Sequence, residues 1–160
     1  MIKELALFHA VGFLLKRYVK TPRGSNRYRG NENWRVFIQK DCWCRNLMLS
    51  NNNRVKFIDF GFFLYDHCLK DLTYFLFTST RTSRVYELCN SYKLYLEENL
   101  QKLNLTLDIE NFSQELNKIT HSVYPLAIKI IRIVRKRKDK QNQLIHAENT
   151  LRKLTWRPKE

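Results

Sequence analysis

The sequence predicts an α+β chain, mostly α, with one small β-hairpin, and three observations carry that prediction. Leu5, Phe8, Gly12, Leu15 and Val19 fall on one helical stripe, with Ala6, His9 and Phe13 beside it, the 3.6-residue period of a packed helix. Two short apolar runs, Leu47–Leu49 and Val55–Ile58, flank Ser50-Asn51-Asn52-Asn53, residues whose backbone tolerates reversal, so the runs should pair antiparallel. From Leu69 onward, apolar residues recur at helical spacing in segment after segment.

In order, helix one is expected over Ile2 to Val19, stopping before Thr21-Pro22. His9 on its apolar face is expected to be a satisfied interior histidine rather than a ligand. Thr21 to Asn33 is rich in Gly, Asn and Arg and reads as a loop. An apolar strand begins at Val36. The run Leu69 to Thr80 is dense enough in apolar residues for a buried helix, with Asp71 near its start. Val85 to Leu103 places Leu88, Tyr92, Tyr95 and Leu96 at helical spacing, with Asn104 as the stop. A further helix is expected from Asp108 to about His121, and a last long one from Leu126 to Lys140. The segment from Leu144 is expected to begin helical and end loose. Internal repeats are not evident.

At 160 residues, the chain is long enough for one domain with a real core. Its 44% hydrophobic and 13% aromatic content exclude a disordered chain. A formal net charge of +14 and a pI near 9.8 favour anionic partners: nucleic acid, acidic membrane surfaces or nucleotides. Cys42, Cys44, Cys68 and Cys89 form no C-x-x-C pair, so they are expected to be thiols in a reducing compartment. Cys42 and Cys44 bracket Trp43 without a second ligand pair, which argues against zinc. Leu5 to Leu15 is interrupted by His9, preceded by Glu4 and followed by Lys16-Arg17 rather than a small-residue cleavage site. A cytoplasmic location is therefore expected, and no run approaches the length of a membrane span.

The chemistry concentrates in Val36 to Gly61. Asp41 and Asn46 stand in D-x-x-x-x-N spacing, and Asp59 follows across the hairpin as Asp59-Phe60-Gly61. Asp and Asn commonly decorate loops, and the spacing by itself would carry no more than that. Joined to the hairpin, it is the layout of phosphoryl transfer: a carboxylate that orients and deprotonates the attacking hydroxyl, and an Asn and an Asp that hold magnesium against nucleotide phosphates.

The run DCWCRNLMLSNNNRVKFIDFGFFLYDHCLKDLTYFLFTST resembles the ecdysteroid kinase-like, or CHK kinase-like, family, relatives of choline and aminoglycoside phosphotransferases. That family reads H-G-D-x-W-x-x-N, a hairpin, I-D-F-Q, then D-L-x-Y-F-L. Asp41, Trp43, Asn46, Ile58, Asp59, Phe60, Asp71, Leu72, Tyr74, Phe75 and Leu76 match it, and Glu4 to Ala10 resembles its L-A-x-x-H-A helix. The departures are Gln39-Lys40 in place of His-Gly and Gly61 in place of Gln. If the glycine position needs positive φ, Lys40 is strained there.

The resemblance implies a protein kinase-like C-terminal lobe with its metal loop on the hairpin. It implies Asp41 as catalytic base, Asn46 and Asp59 as magnesium ligands, Trp43 and Asp71 as supports of the catalytic loop, and Mg2+ and ATP as cofactors. For Asp71, the alternative is an acid complementing the helix dipole. The acceptor would be a small hydroxylated molecule, sterol-like or choline-like. Residues 1–127 would form a partial lobe, with 21–33 replacing family helices, and 128–160 a basic helix and tail. The family's nucleotide-gripping lobe should precede Met1, so turnover of ATP by these residues alone is expected to be low. An inactive pseudokinase-like remnant is the alternative. The basic run Arg132, Arg135, Lys136, Arg137, Lys138 and Lys140 raises nucleic-acid binding as a third reading, but a solvated helix end with cations at its negative pole accounts for it without a partner.

Overall fold

The computed structural model describes residues 1–19, 31–51, 54–134 and 137–155. Helix α1, Ile2–Leu15, is apolar nearly all round and buries Ile2, Leu5, Ala6, His9, Ala10, Gly12 and Phe13. It ends four residues before the expected Val19. Past Leu15 the bonds tighten toward i−3, from Arg17 N to Leu14 O and from Tyr18 N to Leu15 O, and the Lys16 ammonium donates to Glu32 O at 2.9 Å. Of the expected loop Thr21 to Asn33, residues 21–30 lie outside the described residues. Its end forms a short 3-10 turn, Glu32–Trp34, capped by the Asn31 side chain.

Strand β1, Arg35–Ile38, alternates half-buried and buried, with Val36 and Ile38 inward. Gly12 lets α1 approach it: a Cβ there would lie 3.0 Å from Val36 Cβ. The hairpin forms in the expected place. Strand β2, Leu47–Leu49, pairs antiparallel with β3, Val55–Phe57, in the register Leu47↔Phe57. Ser50 closes the turn onto Arg54 O, while Asn52 and Asn53 lie outside the described residues.

A second ladder was not expected from the sequence: β4, Leu64–His67, pairs antiparallel with β1 from Arg35↔His67 to Ile38↔Leu64. Asp66 weakens the strand signal of this short run, and pairing with β1 supplies what propensity does not. His67 is buried flat against Trp34, ring centroids 5.8 Å apart.

Helix α2, Leu69–Ser79, is the centre of the molecule, with nine of its eleven residues buried. Helix α3, Val85–Lys102, packs on α1. It stops as expected at Asn104, whose φ of 51 turns the chain so that Leu105 N reaches Leu100 O.

The C-terminal helices correct the sequence reading. A single helix, α4, runs Phe112–Val134 with Pro125 inside it, where two helices separated near His121 were expected. Proline cannot donate to His121 O, but His121 and Pro125 are both exposed, so water can take that carbonyl. The opposite face buries Val123, Ala127 and Ile131 at i, i+4 and i+8, which holds the helix continuous. Asp108 lies ahead of the helix, its carboxylate accepting from Glu110 N and Asn111 Nδ2.

The boundary at 127/128 falls inside α4. Helix α5, Arg137–Thr155, then folds back on α4 and α2, with Ala147 and Thr150 buried. It satisfies the carbonyls at the end of α2: Gln143 Nε2 donates to Phe77 O at 2.8 Å and His146 Nε2 to Leu76 O at 2.9 Å. Residues 156–160 lie outside the described residues, as do Arg135 and Lys136 of the basic run. No described helix is long and apolar enough to cross a membrane.

Two outcomes follow from this packing. Gly12→Leu drives a side chain into Val36 and is expected to cost roughly 1–3 kcal/mol, read as a lower midpoint in urea. An unchanged midpoint would mean that α1 and β1 are not in contact. The second concerns His67, whose Nδ1 accepts from Leu69 N and whose Nε2 donates to Glu115, both at 3.3 Å. Burial lowers its pKa to about 4, although Glu115 pulls the other way. Between about pH 4 and the ordinary histidine value of 6.5, the unfolded chain takes up a proton that the folded chain does not. Stability should therefore fall as pH drops through that window. His146, also lowered by burial, adds to the same slope. In His67→Gln the thermal midpoint should vary less with pH over this range; an equally steep profile would overturn the assignment.

Candidate functional site

The loop from Gln39 to Asn46 lies along α2 and is pinned to it at three levels. At the first, buried Asp71 accepts from Gln39 N through Oδ2 and from Lys40 N through Oδ1, each at 2.8 Å. Its Oδ2 also takes His9 Nε2 at 3.3 Å, and His9 Nδ1 meets the Tyr92 hydroxyl at 2.7 Å. A carboxylate only accepts, so His9 Nε2 bears a proton. Burial, ahead of nearby charge, pushes the Tyr92 pKa well up, so its hydroxyl stays protonated. His9 is thus a satisfied interior residue, as expected, and it ties α1 and α3 to the loop's support.

At the second level, the Tyr74 hydroxyl donates to Asp41 Oδ1 at 3.2 Å. Burial and then the Asp41 charge raise the Tyr74 pKa, so it remains a donor. At the third, Ser79 Oγ accepts from Cys44 N at 2.9 Å. Between these anchors, Asn46 Nδ2 donates to Asp41 O at 2.9 Å and to Asp41 Oδ2 at 2.8 Å. Both carboxylate oxygens of half-buried Asp41 therefore have a fixed donor. Trp43 is buried behind the loop with Arg45 over its ring, and its Nε1 has no hydrogen-bond partner among the described residues. Burial, with the Asp71 and Asp41 charges, pushes the Cys42 thiol far up, which makes it inert.

The hairpin brings Asn46 and Asp59 to the same end of one ribbon. Asn46 precedes β2, Asp59 follows β3, and Ile58 N donates to Asn46 O at 3.0 Å. The Asp59 carboxylate is exposed, with only Gly61 N among the described residues on its Oδ1 at 3.3 Å, and its φ is 58. Asn46 spends its amide nitrogen on Asp41, which leaves Oδ1 uncommitted among the described residues. These are hard oxygen donors, the type Mg2+ takes. Among the described residues no three His, Cys, Asp or Glu converge as a ready-made metal cage. Mg2+ does not need one, being held by one or two carboxylates together with waters and substrate phosphates.

Two features were not legible as contributors. Gln39, fully buried, donates through Nε2 to Ile58 O at 2.6 Å and to Asp59 O at 3.3 Å. It ties the segment carrying Asp59 to the loop carrying Asp41. Its Oε1 has no partner among the described residues, and the two carbonyls opposite the nitrogen fix the amide that way round. Tyr74 was legible only as a motif position, because a helical tyrosine carries no sign of what its hydroxyl meets. Lys40 has φ 69, so the strain foreseen for a non-glycine residue there is present, of order 1–3 kcal/mol.

Residues 10–105 match the ecdysteroid kinase-like family. Comparison with curated proteins and with solved structures returned no match.

Removing the Asp71 carboxylate would leave Gln39 N, Lys40 N and His9 Nε2 buried without an acceptor. Asp71→Ala is expected to cost at least about 3 kcal/mol by urea denaturation. A loss of less than about 1 kcal/mol would show that the loop does not depend on Asp71.

Proposed function

The chain belongs to the ecdysteroid kinase-like family, and from that premise we propose that it takes part in ATP-dependent phosphoryl transfer to the hydroxyl of a small molecule. Asp41 is the base in this reading, and Asn46 and Asp59 are the magnesium ligands. One observation carries it. Gln39 is bonded through its backbone to Asp71 and through its side chain to the carbonyls of Ile58 and Asp59, so the candidate base and the candidate metal ligand belong to one braced unit.

Phosphoryl transfer depends on positioning and charge stabilisation. Asp41, held by Asn46 and Tyr74, presents a carboxylate of fixed orientation to the acceptor hydroxyl and can take its proton as the bond to phosphorus forms. Magnesium, when bound with the nucleotide, neutralises charge on the phosphate oxygens. The exposed Asp59 carboxylate and Asn46 Oδ1 are the groups on this chain suited to hold it. Trp43 and Asp71 act through the loop rather than on the reactants. A sterol-like or choline-like alcohol is the acceptor class that the family suggests.

The second reading, an inactive pseudokinase-like remnant, is favoured by Lys40: a residue strained beside the candidate base is a place where turnover could have been given up. Isothermal titration with Mg-ATP separates binding from chemistry. Metal-dependent ATP binding is expected, lost in Asp59→Asn and retained in Asp41→Asn. Turnover by these 160 residues should be low, since the four glycines, Gly12, Gly24, Gly30 and Gly61, are too scattered to form a loop cradling phosphates. If Mg-ATP does not bind, or binds equally to Asp59→Asn, the proposal fails.

A further inference from the structure

Lys40 occupies a left-handed position, φ 69, that glycine would fill without strain. The backbone bond to Asp71 holds residue 40 there whatever its side chain, so the lysine is not needed to place Asp41. What it adds is an ammonium group. Lys40 lines a cavity of about 100 Å³, with Asp66, Lys70 and Tyr74 on one side and Ser122, Val123 and Leu126 of α4 on the other. Tyr74 is the wall shared with the candidate base, since its hydroxyl donates to Asp41 Oδ1.

The other polar groups of this cavity are already engaged. Asp66 Oδ2 holds the Lys70 ammonium at 2.6 Å, and Asp66 Oδ1 accepts from His67 N at 2.7 Å. Ser122 Oγ donates to Ile119 O at 2.8 Å. The Asp66–Lys70 pair cancels in charge. Lys40 is exposed and its ammonium makes no hydrogen bond or ion pair among the described residues, so it leaves this lining with a net positive charge. At about 100 Å³ the space has room for a carboxylate or phosphate.

We propose that Lys40 is a specificity-determining residue, making this cavity a subsite for an anionic group, carboxylate or phosphate, carried by the acceptor alcohol. The proposal rests on the reading of Asp41 as the base for that alcohol, and it excludes a choline-like cation as the acceptor. With the anion beside Lys40, the hydroxyl of the same molecule is directed past Tyr74 toward Asp41. A point charge on a flexible stem suits an anion whose exact position varies with the acceptor.

The test is titration of the 160-residue chain with glycerol 3-phosphate, glycerate and glycerol, alike in carrying hydroxyls and different in charge. Wild type, Lys40→Gly and Lys40→Arg are compared. At least one anionic alcohol should bind about tenfold or more tighter than glycerol. Lys40→Gly should lose that preference and Lys40→Arg keep it. The tighter of the two anions identifies the group. Lys40→Gly relieves backbone strain, so its thermal midpoint should not fall, and lost binding cannot then be put down to unfolding. Equal binding of all three alcohols by wild type, or an anion preference surviving in Lys40→Gly, would overturn the subsite. Mg-ATP binding measured on the same samples keeps the two ideas apart: its absence alongside a Lys40-dependent anion preference would sink the phosphotransfer reading and leave the subsite standing.

Discussion

One buried carboxylate, Asp71, determines whether the rest of the candidate site exists. It sits in the first turn of α2 without solvent contact, where an ionised group is costly unless its oxygens are bonded. Three donors from two other parts of the chain meet it: two backbone N–H groups of the 39–46 loop and His9 of α1. Hydrogen bonds to a charged acceptor contribute about 1.5–3 kcal/mol each, and together they offset the desolvation. The exchange works in both directions. The loop is held because Asp71 needs donors, and Asp71 is tolerated inside because the loop and His9 supply them. The charge also complements the N-terminal dipole of α2, so its two expected roles are compatible.

The support extends well beyond that carboxylate. Residues 71, 74 and 79 of α2 meet the loop in order along its length, so the straightness of α2 sets the spacing of the loop. The far end of α2 depends on α5, which supplies side-chain donors to Leu76 O and Phe77 O. The near end depends on α4, where Glu115 meets His67 just before α2 begins. Burial raises the Glu115 pKa, but bonds from Lys118 and His67 outweigh it and the net shift is downward. Helices α4 and α5 lie outside the segment matched to the family. The common loop is thus braced in part by residues the family match does not include.

The legible parts of the sequence were those in which one period or one turn type dominates. The hairpin, α2 and α3 were placed from apolar spacing and from Asn-rich reversals, and Asn104 was read as a stop because few residues tolerate positive φ. Strand β4 was not legible, because Leu64–His67 is four residues long with an acid among them and becomes a strand only through β1. Continuity of α4 through Pro125 was hidden because the rule against proline in helices assumes that the freed carbonyl is buried. At the site, the identities and spacing of Asp41, Asn46 and Asp59 could be read locally. The bonds of Gln39 to residues 58 and 59 could not, because they join segments 19 and 20 residues apart.

That contact changes the meaning of Gln39-Lys40. As a departure from the family's His-Gly, the pair counts toward lost function, since one member removes an imidazole and the other introduces strain. In the fold, the glutamine amide does structural work that a ring N–H could also do, donating to the backbone of the neighbouring loop. The lysine is held at positive φ by a backbone bond indifferent to its side chain. Burial of Gln39 costs free energy that is recovered only if Ile58 and Asp59 remain in register with the loop. That register holds Asp41 and Asp59 in fixed relation, which the proposed phosphoryl transfer requires.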